Sequence, residues 1–114
     1  MKKKIYIAGK VTGEDQEQCI TKFQNAKDLV EIMGYEAVNP LEVVGDWKTP
    51  WNEAMKKCIK ALADCDVILM LDDWNFSKGA KLELQIALAL GLDIHYKAEK
   101  LTPIRDPKRP RYHI

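Results

Sequence analysis

The stretch Cys65-Asp66-Val67-Ile68-Leu69-Met70-Leu71-Asp72-Asp73-Trp74-Asn75-Phe76-Ser77-Lys78-Gly79-Ala80-Lys81-Leu82-Glu83 decides the fold. Val67 to Leu71 is a continuous apolar run of the kind found in a strand covered on both faces. Asp72 to Phe76 reads as a loop. Ser77 then opens a helix reaching to Gly91, with Lys78, Lys81 and Gln85 gathered on one side at about 3.6 residues per turn. A strand buried on both faces and feeding a helix belongs to a parallel sheet with crossover helices.

The rest of the chain repeats the alternation. Lys4-Ile5-Tyr6-Ile7-Ala8-Gly9 reads as a first strand ending in a glycine turn. Cys19, Ile20, Phe23, Ala26, Val30 and Met33 recur at helical spacing before Gly34, a natural C-cap. Tyr35 to Val38 is a short strand stopped by Asn39-Pro40, and Leu41 to Pro50 is a loop. A second helix runs from about Trp51 to Asp64, with Trp51, Met55, Ile59 and Leu62 inward and Glu53, Lys56, Lys57 and Lys60 outward. A last strand falls near Asp93 to Tyr96. These elements predict a doubly wound parallel α/β sheet of roughly four to five strands with helices on both faces. Ligands of such sheets bind outside the carboxyl ends of the strands, where strand order reverses. Gly9 to Gly13, Asn39-Pro40, Asp72 to Ser77 and the start of the last helix should share that edge.

Bulk composition narrows the function classes. The 114 residues suit one domain, and 46% hydrophobic with 31% charged residues is ordinary for a globular protein. A net charge of +1 argues against a strongly basic nucleic-acid binder or a polybasic membrane protein. Cys19, Cys58 and Cys65 make neither an even set nor a CxxC pair, and there is no apolar leader. The expectation is a cytoplasmic protein with free thiols. Val67 to Leu71 is too short to span a bilayer. His95 and His113 are isolated, and no grouping has metal-ligand spacing, so neither metal nor cofactor is expected. The segment 97–114 is a basic tail with Pro103, Pro107 and Pro110 and no helical period. It is disordered, packs on the domain at 1–96, or embraces a neighbouring subunit.

Glu83 breaks the pattern of its helix. It falls roughly 170° from the middle of the polar side, among Gly79, Ala80, Ala87 and Leu90. An ionised carboxylate there must be paired, protonated or lining a functional cavity.

Tyr6-Ile7-Ala8-Gly9, Asn39-Pro40-Leu41, Trp51, Cys65-Asp66 and Ser77-Lys78-Gly79-Ala80-Lys81-Leu82-Glu83, in that order, resemble the nucleoside 2-deoxyribosyltransferase-like superfamily. The likeness is greatest to a small, poorly characterised branch in bacteria and phages, and it runs from about Lys3 to Tyr96. The resemblance implies a flavodoxin-like fold, no cofactor, and a homo-oligomer in which a neighbour completes the pocket. It also implies cleavage of the N-glycosidic bond of deoxynucleosides or their 5′-monophosphates, by hydrolysis or by transfer of the sugar. Glu83 matches the family nucleophile, suited to an oxocarbenium-like centre that a nearby anion stabilises and then traps. Tyr6 matches a tyrosine that positions it; on pattern alone it is a core aromatic. Ser77 matches the phosphate-binding serine of monophosphate-cleaving relatives, and without the likeness it is an ordinary N-cap. A helix N-terminus with Gly79 allowing close approach suits an anion, and Gly9 and Lys10 offer a second set of phosphate contacts.

One position departs from the family. Relatives carry an aspartate on the second helix, eight positions before the strand-opening aspartate; counting back from Asp66 reaches Cys58. The family aspartate helps to hold the sugar and to protonate the leaving base, and a thiol neutral near pH 7 replaces it poorly. Asp72 or Asp73 is a candidate to compensate, each otherwise a solvated strand end. Trp74 and Asn75 are candidates to stack on and hydrogen-bond a base, or simply pack. Three classes follow: a nucleotide N-glycosidase or transferase, a nucleotide-binding module that has lost the acid, and an interaction domain without a ligand. The last predicts a Glu83 that is salt-bridged or wet.

Overall fold

The computed structural model describes residues 2–96; the tail at 97–114 lies outside them. Four strands form one all-parallel sheet in the order β2-β1-β3-β4. They are β1 (Lys4–Ala8), β2 (Glu36–Val38), β3 (Val67–Met70) and β4 (Asp93–His95). Register is continuous across the centre, with Tyr6 paired to both Val38 and Ile68. The doubly wound α/β expectation stands.

Strand alternation sorts the core into two layers. Ile5, Ile7, Val67 and Leu69 meet the buried Cys19, Phe23, Ala26 and Val30 of α1 (Gln16–Ile32). Tyr6, Ala8, Ile68 and Met70 turn the other way. They meet Cys58 and Leu62 of α3 (Trp51–Ala63), and Ala80 and Ala87 of α4 (Lys78–Ala89). The central pair β1 and β3 is therefore covered on both faces, as its unbroken apolar sequence requires. Helix α1 begins where Asp15 Oδ2 accepts from the Gln18 N–H at 3.0 Å. Asp15→Ala is expected to cost about 1 kcal/mol in urea unfolding, with the fold retained.

Two short elements occupy expected loops. Within 41–50 lies most of α2 (Pro40–Val44), and within 72–76 a 3₁₀ turn (Trp74–Phe76). Asn39, read as a strand stop, is also the N-cap of α2: its Oδ1 accepts from the Leu41 N–H at 3.0 Å. Pro40 sits at the first helical position, where its missing N–H costs nothing. Gly45 at φ 82° ends the helix in the left-handed region.

After β2 the chain crosses over β1 to form β3, so strand order reverses between β1 and β3. The crevice at their carboxyl ends is bounded by the turn after Ala8, α2, the start of α3 and the N-terminus of α4.

Candidate functional site

Glu83 lies on the second turn of α4 and is 5% exposed. It faces the crevice, and its Oε2 accepts from the Tyr6 hydroxyl at 2.6 Å. Tyr6 reaches it because position 6 of β1 points to the α3–α4 layer. Burial drives the Glu83 carboxyl up to about 7, only partly offset by the Tyr6 hydrogen bond. Burial, followed by the neighbouring Glu83 charge, raises the Tyr6 phenol well above its ordinary value. Burial pushes the Cys58 thiol up to about 11, only partly offset by the nearby Tyr6 hydroxyl. No salt bridge holds Glu83 among the described residues. It is neither ion-paired nor wet, contrary to what an interaction domain without a ligand predicts.

Around this pair is a recess of about 90 Å³, walled by Gly9, Trp51, Met55, Cys58, Gly79 and Glu83, with Ser77 at its edge. It continues into an outer mouth of about 430 Å³ formed by Lys10, Thr12, Trp51, Phe76, Ser77 and Lys78. The mouth has the scale of a small-ligand site. Two close approaches shape the crevice. A Cβ at Gly79 would stand 3.0 Å from Met55 Sδ, and one at Gly9 2.9 Å from Leu71 Cδ1 and 3.1 Å from Asp73 Oδ1. Gly9→Ala must displace Leu71 and the turn above it. The expected cost is about 1–3 kcal/mol in denaturant unfolding, with ligand affinity lowered as well.

The structure brings together Tyr6, Gly9, Lys10, Ser77, Gly79 and Glu83, but it places three other candidates elsewhere. Asn39 is buried, with its side chain capping α2. Trp74 packs on the core beneath α4 and tilts against Tyr96, ring centroids 5.9 Å apart. Asp72 is exposed in a separate groove with Lys22, Leu29 and Tyr96. Ser77 does cap α4, its Oγ accepting from the Ala80 N–H at 3.0 Å, which leaves its own hydroxyl proton for a ligand.

Sequence reasoning missed Lys22. Its Nζ donates to the Lys10 carbonyl at 2.7 Å, to Glu14 Oε1 at 3.2 Å, and to the Asp73 carboxylate. Asp73 Oδ1 also accepts from the Lys10 N–H at 2.9 Å. One lysine and one aspartate thus clamp the turn after β1 to the end of β3. The signal was present in the helical period: Lys22 lies one turn from Cys19 and beside Phe23, on the buried side of α1.

Residues 3–96 match the family described as a domain of unknown function, DUF4406. The chain belongs to the DUF4406 family. No curated protein matches it in sequence. Among solved structures, this DUF4406 chain is similar to a 2-desoxiribosyltransferase from Leishmania mexicana, with TM-score 0.63 and 23% identity. That alignment covers 81% of this chain and 61% of the other. It is also similar to the CMP N-glycosidase BcmB of Clostridium botulinum, with TM-score 0.56 and 20% identity, covering 81% and 66%. The DUF4406 domain therefore has the deoxyribosyltransferase-like fold and spans a little under two thirds of these neighbours. No helix among the described residues is long and apolar enough to cross a membrane.

Proposed function

We propose that this chain cleaves the N-glycosidic bond of a deoxynucleoside or its 5′-monophosphate, with Glu83 as nucleophile. The observation that carries the reading is the buried Tyr6–Glu83 pair at the strand-order reversal, beside a helix N-terminus. Tyr6 engages Oε2, which leaves Oε1 to attack C1′. A carboxyl half-protonated near neutrality, in a recess walled mostly by apolar groups, gives a carboxylate that is ready but weakly solvated. The sugar fits the recess and the base the mouth. The phosphate meets the Ser77 hydroxyl, Lys10, Lys78 and the first amides of α4, which have no partner within the helix.

A second reading rests on Cys58. Lacking an acid at that position, the pocket binds nucleotides without turning them over. Base release from deoxynucleosides and their 5′-monophosphates, measured with ligand-induced melting shifts on the same samples, separates the two. Turnover supports the glycosidase, and a shift without turnover the binding module. Silence in both assays removes the site. A cytoplasmic homo-oligomer acting on small molecules, rather than on nucleic acid, completes the proposal.

A further inference from the structure

The chemistry of the recess limits what can leave from C1′. A neutral base departs as an anion unless something protonates it, and this is the usual work of a general acid. Among the described residues, Glu83 is the one carboxylate in the recess wall, and its reaction needs it ionised. Cys58 faces it as a thiol that holds its proton up to about 11. Asp73 is committed to Lys22 and the Lys10 amide, and Asp72 opens to a different groove. His95 lies on β4, the edge strand beyond β3.

The mouth carries two ammonium groups, but Lys10 pairs with Glu14 at 3.6 Å. Both Lys10 and Lys78 serve the phosphate in the proposed function, which takes their charge away from the base. Trp51 lines both recess and mouth, and Lys78 Nζ sits over its ring, 4.5 Å from the centroid. The indole face therefore already accommodates a cation. A phosphate at the α4 N-terminus draws the Lys78 ammonium toward itself and leaves that face to the base.

Resting on the glycosidase reading, we propose that the preferred substrate is a nucleotide whose base already carries a positive charge on a quaternised ring nitrogen. Such a base needs no proton. The C1′–N bond breaks with its electron pair returning to the ring, which leaves neutral, while Glu83 Oε1 bonds to C1′ as an ester. Water then attacks C1′, the ester C–O bond breaks back to the Glu83 carboxylate, and the water's proton goes to solvent. The charge has a second effect. A cation above Glu83 favours its ionised form against the burial that opposes it, so the substrate ionises its own nucleophile. A neutral base does neither.

The test uses the full chain and one matched pair, 2′-deoxyguanosine 5′-monophosphate and its N7-methyl derivative, with spontaneous base loss of each measured in the same buffer. An enzyme with a hidden proton donor helps the neutral base more, and so compresses the methylated-to-unmethylated ratio. The expected ratio of kcat/KM values is at least the ratio of the spontaneous rates. A ratio ten-fold or more below it overturns the inference but leaves the glycosidase reading standing. If neither compound is cleaved while another unmodified nucleotide is, the inference falls alone; if all are inert, the glycosidase reading falls with it. Cys58→Asp places a carboxyl group where an acid is lacking. It is expected to raise release of the neutral base by about 10²-fold and to shrink the ratio. An unchanged ratio in a folded Cys58→Asp protein also counts against the inference. Should that variant not fold, the wild-type ratio alone decides.

Discussion

Glu83→Gln is expected to abolish base release and, above neutral pH, to make the protein more stable. The two effects share one cause. Burial holds the carboxyl near 7 where an unfolded glutamate titrates near 4.5. Below about 4.5 both states carry the proton, and the buried side chain has no charge to desolvate. As pH rises from there to about 7 the unfolded chain loses its proton first, so the native state becomes progressively less favoured. Above 7 the full penalty stands, about 3 kcal/mol for a displacement of this size. Glutamine keeps the shape and an oxygen for the Tyr6 hydroxyl but carries no charge, although its amide N–H₂ needs partners of its own. The variant should therefore gain about 1–3 kcal/mol at pH 8, with the gain fading toward pH 4.5. Urea unfolding at both pH values measures it. Base release should drop at least about 10³-fold, as for loss of a nucleophile elsewhere. A variant that is equally active would show that Glu83 is a structural residue.

This conflict between stability and charge is what made the site visible in the sequence. Apolar runs and helical periods were sufficient for the α/β architecture, because β1 and β3 are buried on both faces and their neighbours alternate. Glu83 stood out for violating the pattern of its own helix, and Gly9 and Gly79 sat at the element ends where ligands approach. The misplacements were local. Asn39-Pro40 ends a strand and begins a helix with the same two residues, and only the second role engages the Asn39 side chain. Of the adjacent Asp72 and Asp73, equally plausible by sequence, only the latter points back toward the turn after β1. That choice depends on Lys22, fifty-one positions away in the chain. Trp74 went to the core because the 3₁₀ turn rotates it under α4, leaving the exposed Phe76 and the half-covered Trp51 at the mouth.

Tyr6→Phe isolates the other half of the pair. The phenol is the one group found to lower the Glu83 carboxyl against its burial. Removing the hydroxyl while keeping the ring should raise that carboxyl above about 7. In the wild type, kcat/KM should climb with pH, pass half its maximum near 7 and level off above it, as Glu83 in the free enzyme becomes ionised. In Tyr6→Phe the same limb should move to higher pH, because ionisation now leaves a buried charge without its donor. A hydrogen bond to a charged group is worth about 1.5–3 kcal/mol, so the rate at pH 7 should fall by about 10- to 10²-fold. Stability should follow the same sign. At pH 8 the variant loses about 1–3 kcal/mol, since its ionised Glu83 is unpartnered. Below about 4.5, where the carboxyl is neutral in both states, the loss shrinks to that of an ordinary hydrogen bond. Core packing alone predicts a different outcome. A tyrosine that only fills the layer between β1 and α4 would change stability equally at both pH values and leave the activity limb in place. The movement of that limb therefore distinguishes a positioning tyrosine from a packing one, whichever substrate is turned over.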